Sequence, residues 1–87
     1  MKRENDMSEI KQKILVVMAD VFGMDVENIP AEAAPGVIEA WDSLKHMNLV
    51  LALEDEFNIR FPDEVIEQLI SIELIELNVR ELIDQAK

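Results

Sequence analysis

The sequence contains no cysteine. That excludes a disulfide framework and any thiolate chemistry supplied by the protein itself, so a thiol would have to arrive on a cofactor. Long apolar runs are missing too. The N-terminal M-K-R-E-N-D-M-S-E-I has basic residues but no hydrophobic stretch behind them, which is not the pattern of a signal peptide. Nothing approaches the roughly 20 apolar residues of a membrane-spanning helix. These absences make a cytoplasmic location the expectation. A lone histidine without cysteine gives no metal site. Positive charge is scarce: 8 basic residues stand against 19 acidic ones, for a net charge of −11. Such a surface repels nucleic acid, whose binding depends on Lys and Arg neutralising phosphates, and it repels anionic membranes. It suits basic protein partners, whose encounter it would steer, and solubility alone requires less charge. An acidic monomer is the simplest expectation.

What is present reads as one all-α domain over residues 1–87. With 49% hydrophobic residues, disorder is not expected. Asp6-Met7-Ser8-Glu9 has the form of a capping box, with Asp6 as cap and Ser8 as rival. A first helix over about 8–22 would then bury Ile10, Ile14, Val17, Met18 and Val21, with Phe22 beside them and Gly23 as its stop. Residues 24–41 form a long connection, broken by Pro30, Pro35 and Gly36. Val26, Ile29, Val37, Ile38 and Trp41 are the candidates to pin it, with short helical turns near 26–29 or 37–40. Its D-V-E-N segment lacks the spacing of a calcium loop. Further on, Pro62 sits at the first position of a short third helix over about 63–69, with Asp63 and Glu64 in its first turn. A tight buried connection follows. Asn78-Val79-Arg80-Glu81, another capping-box form, opens a last helix that buries Val79, Leu82 and Ile83. The expected architecture is a four-helix bundle, three longer helices and one short helix III, with a long loop between the first two.

The second helix, 43–57, organises the rest. Asp42 caps it and places Ser43 in the first turn, an accessible hydroxyl at the positive end of a helix dipole. His46, Leu49, Val50, Leu53 and Phe57 share the inward face. Leu44, Asn48, Leu51 and Asp55 lie opposite. Leucines there read either as ordinary scatter or as a docking strip between charges. Asp42, Ser43 and His46 include the residue types of a hydrolase triad, but His46 turns toward the core, Asp42 serves as cap, and no glycine elbow surrounds Ser43. No catalytic residue is therefore expected. Trp41 reads chiefly as a core anchor for the long loop, the alternative being contact with whatever Ser43 carries. Met47, beside the serine's turn, reads equally as packing or as a flexible wall.

Asp42-Ser43-Leu44, followed by L-V-L-A-L-E-D-E-F and then Phe61-Pro62-Asp63 after a short loop, resembles the acyl carrier proteins, within the wider family of phosphopantetheine-bearing carrier domains. The resemblance spans essentially the whole chain. It implies a 4′-phosphopantetheine arm, taken from coenzyme A by a phosphopantetheinyl transferase with Mg²⁺ and attached to Ser43. Asp42 and Leu44 would complete the attachment motif. It implies acyl cargo held as thioesters on the arm's thiol and presented to enzymes of fatty-acid, polyketide or other specialised acyl metabolism. Those enzymes would dock through basic patches on Leu44, Asn48, Leu51, Glu54 and Asp55. Carriers of this family also shelter acyl chains between their helices. Typical fatty-acid carriers have Gly three residues before the serine and a small residue after that; this chain has Ala40 and Trp41. They tend to be acidic two and five residues after the serine, where this chain has Lys45 and Asn48. A specialised carrier with its own partners follows. The rival readings are an unmodified acidic interaction module of the same fold and an aminoacyl or peptidyl carrier.

Overall fold

The computed structural model describes the backbone of residues 2–86 and the side chains of residues 9–85. Helix α1 runs Lys2–Phe22, starting ahead of the expected residue 8. Its first turns hold no glycine or proline, so nothing there opposes helix. The capping box assigned to Asp6, and its rival Ser8, fall outside the described side chains. The helix ends as expected. Gly23 takes φ 68°, and the amide of Met24 closes back onto the Ala19 carbonyl at 3.0 Å, satisfying a carbonyl that the helix end would leave free.

The long connection is ordered by a 3-10 turn over Val26–Asn28 and a second turn around Gly36. The amides of Val37 and Ile38 both donate to the Ala34 carbonyl, at 2.9 and 3.0 Å. A turn that tight sends only one of two neighbouring side chains inward. Ile38 is buried, while Val37, expected to pin the loop, is 52% exposed. Ala33 and Trp41 complete the buried set of this segment, with Met24 and Ile29 packed at its edge.

Helix α2, Ser43–Phe57, has the expected bounds and stops at Asn58 in the left-handed conformation, φ 57°. Helix α3 is shorter than expected, Asp63–Ile66 rather than 63–69, and Pro62 caps it instead of forming its first residue. Leu69 is fully buried, and the chain turns to bring it there. Helix α4, Ile72–Ala86, corrects the expected start at Asn78. Its cap is Ser71, whose Oγ accepts from the Leu74 amide at 3.1 Å. Asn78 lies mid-helix, and its side-chain amide donates to the Leu74 carbonyl at 2.8 Å. The supposed buried connection is thus two helical turns with Ile72 and Ile75 inward and Leu74 and Leu77 in solvent. Ser71→Ala is expected to cost about 1 kcal/mol in urea unfolding. A change near zero would show that the cap adds nothing.

The four helices form an all-α bundle. Ile14, Val17, Met18 and Phe22 of α1 meet Leu49, Val50 and Leu53 of α2 and Ile72, Ile75 and Val79 of α4 in one core. This packing removes apolar surface from water and fixes α2, with its N-terminus, against α1. Among the described residues no helix is long and apolar enough to cross a membrane.

Candidate functional site

The start of α2 is fixed by its cap. Asp42 is extended, at φ −104° and ψ −172°, and its Oδ1 accepts from the Lys45 amide at 2.9 Å. Ser43 therefore occupies the first helical position, with its side chain exposed. There the free amides of the first turn carry partial positive charge. Lys45 points elsewhere: its Nζ donates to the Val21 carbonyl at 3.3 Å, setting a cation at the negative end of α1. The basic residue two places after the serine is thus a staple between α1 and α2.

Behind Ser43 lies a hydrogen-bonded relay. The Trp41 indole N–H donates to His46 Nδ1 at 3.0 Å, and His46 Nε2 donates to the Ile66 carbonyl oxygen at 2.8 Å. Both bonds form together only with a neutral imidazole carrying its proton on Nε2. Trp41 is 3% exposed and packs on Phe22 with ring centroids 5.1 Å apart, which is the anchoring role expected of it. His46 has no ring nitrogen left for Ser43, so the triad geometry is not formed.

A groove of about 700 Å³ opens beside Ser43. Trp41, His46, Met47, Ile66 and Ile70 line it, with Asp63 and Glu67 among its polar lining residues. Met47 is exposed and lines the groove, the position that its reading as a wall requires. The contribution of residues 63–70 was missed. Ile66 and Ile70 stand four apart after the Pro62 cap, the one signal that could have placed them together.

On the outer face of α2, Leu44 is 71% exposed and Leu51 59% exposed, and Asn48 and Asp55 are also in solvent. Glu54 is half-buried. Its Oε2 accepts from the Phe61 amide at 2.8 Å and so holds the turn between α2 and α3.

Residues 12–79 match the family model described as the phosphopantetheine attachment site. The chain is also 35% identical, over 68 residues, to an acyl carrier protein of Thermosynechococcus vestitus (strain NIES-2133 / IAM M-273 / BP-1); the match covers 78% of this chain and 84% of that one. This chain belongs to the acyl carrier protein family.

Membership implies a covalently attached 4′-phosphopantetheine. The carrier's residues fit such a group. Ser43 offers an exposed hydroxyl at the positive end of a 15-residue helix, and the adjoining groove is lined largely by apolar side chains. Proteins of this family carry acyl groups for acyl-processing enzymes and receive the arm from a phosphopantetheinyl transferase.

Proposed function

We propose that Ser43 carries the 4′-phosphopantetheine and that the protein is a non-catalytic carrier of acyl groups. The observation behind this is the exposed Ser43 hydroxyl at the first position of α2, facing a groove of about 700 Å³ within the matched residues. Ser43 Oγ would hold the arm through a phosphodiester, formed with loss of the hydroxyl proton and with the nucleotide part of coenzyme A as leaving group. Once attached, the arm supplies a thiol on which acyl cargo rides as a thioester. The chain's own part is to position and protect. Asp42 fixes the helix start, and the free amides of the first turn of α2 favour the negative charge of the phosphodiester. Met47, Ile66 and Ile70 offer apolar cover.

Intact-mass analysis after incubation with coenzyme A, Mg²⁺ and a transferase tests the reading. A mass gain of one phosphopantetheine is expected. No gain, under conditions that convert a known carrier, would overturn it and leave the unmodified interaction module.

Partners dock on the outer face of α2 through Leu44, Asn48, Leu51 and Asp55, joined by the free oxygen of Glu54. The acidic surround selects enzymes with basic patches. Leu44→Ala combined with Leu51→Ala is expected to raise the transferase KM for this protein about thirtyfold, because truncating two exposed apolar anchors removes contacts worth roughly 1 kcal/mol each. Thermal unfolding should hardly move, since neither side chain is in the core. An unchanged KM would remove this face from the docking role. Lys45 and Asn48, standing where typical fatty-acid carriers are acidic, support a specialised carrier. Loading by a fatty-acid synthase transacylase as fast as the housekeeping carrier would count against that.

A further inference from the structure

Helix α3 is four residues long and buries none of its side chains fully. A helix that short has no stability of its own, and its place depends on what ties it down. Val65 and Ile66 are half-buried, and the buried residues flanking the helix are Phe61 before it and Leu69 beyond it. Among the described residues, the bond from His46 to the Ile66 carbonyl is the one hydrogen bond joining α2 to α3. At 2.8 Å it is shorter than the 3.3 Å bond that the same carbonyl receives from the Leu69 amide.

The other end of the relay is buried. Trp41 is packed on Phe22 in the core, and its indole N–H sets the rotamer and tautomer of His46. The relay therefore runs from a buried ring, through an orientable ring, to a loosely held backbone carbonyl. His46, from α2, and Ile66, from α3, both line the groove beside Ser43. We propose that His46 is the positioning residue of this groove: held by Trp41, it draws α3 against α2, sets the groove's width and so controls how far cargo beside Ser43 is screened from water. The screening half of this inference rests on the carrier reading; the positioning of α3 does not.

Three variants separate the hydrogen bonds from the volume of the ring. His46→Leu fills the space but leaves the Trp41 N–H unpaired and the Ile66 oxygen with only the 3.3 Å bond from the Leu69 amide. His46→Gln offers an acceptor and a donor on one planar amide and can restore both bonds. Trp41→Phe keeps an aromatic ring on Phe22 and removes the indole donor together with part of the buried ring. On the unmodified protein, amide hydrogen exchange reads the position of α3. His46→Leu is expected to speed exchange at Val65, Gln68 and Leu69 about threefold, the effect of losing the one neutral hydrogen bond, of roughly 0.7 kcal/mol, that joins α3 to α2. The amides of Leu49 to Leu53 in α2 should stay at the wild-type rate. His46→Gln should lie near wild type and Trp41→Phe between the two. On protein carrying an octanoyl arm, hydroxylamine should cleave the thioester faster in the same order.

Unchanged α3 exchange in His46→Leu, or an equal rise across the whole bundle, would overturn the positioning role. So would His46→Gln behaving like His46→Leu, which would put the effect in the ring's volume. Faster exchange with unchanged hydroxylamine cleavage would overturn the screening. A protein that never gains the arm would sink the carrier reading alone, because the exchange measurements decide the α3 contact without it.

Discussion

Ser43→Ala is expected to abolish covalent modification while leaving the fold as it is. The expectation follows from where the hydroxyl sits. Ser43 is exposed at the first position of α2, and the helix start is held by Asp42, whose bond to the Lys45 amide does not involve the serine side chain. Alanine is the best helix former, so the substitution costs the helix nothing and stability should stay within about 0.5 kcal/mol. The experiment is clean because the chain offers few rival hydroxyls. It has no tyrosine and no threonine, and the other serines are Ser8 and Ser71. Ser71 already accepts the Leu74 amide as the cap of α4. Mass spectrometry of the variant after exposure to coenzyme A and transferase should show the unmodified mass alone. A full mass gain would move the attachment point off Ser43 and with it the functional role of the groove.

Trp41→Ala should produce the largest loss of stability of any single substitution considered for this protein, about 3–5 kcal/mol. Domains of this size have roughly 4–13 kcal/mol in all, so the variant would approach the limit of folding at room temperature. The loss has three parts. A buried bicyclic ring leaves the core and takes its contact with Phe22 with it. His46 Nδ1 loses its donor. The long loop loses its deepest attachment just before the cap of α2, so the backbone leading to Asp42 is free to wander. Urea unfolding followed by circular dichroism at 222 nm measures the sum. Trp41→Phe should lose less, because a ring remains against Phe22. A loss below 1 kcal/mol for the alanine variant would show that the loop is held by Ala33 and Ile38 instead.

Helix α2 was legible to the residue because both of its ends are written locally: Asp42 offers a short-range acceptor, and Asn58 tolerates the left-handed conformation. The inward face of α1 was legible for a similar reason, since Ile14, Val17, Met18 and Phe22 follow the helical period. The start of α4 was not. Ile70, Ile72, Leu74, Ile75 and Leu77 put apolar residues on every side, so periodicity had no contrast to work with, and Ser71 lacked the Glu or Gln three residues on that marks a capping box. The relay was hidden for another reason. Trp41 and His46 lie on either side of a helix cap, where no simple period applies, and Ile66 enters through a backbone carbonyl that no side-chain pattern reports. Glu54 shows the same limit. Acidic and near the end of α2, it reads as part of a charged surface, yet its carboxylate holds the amide of Phe61.

The place of Trp41 has one more consequence. It is the protein's only tryptophan, and there is no tyrosine, so the intrinsic fluorescence of the molecule comes from a single indole, buried and hydrogen-bonded to a ring that lines the groove beside Ser43. The protein thus carries its own optical reporter at the wall of the groove beside Ser43, and events at that wall are readable from the colour and lifetime of its emission without any label.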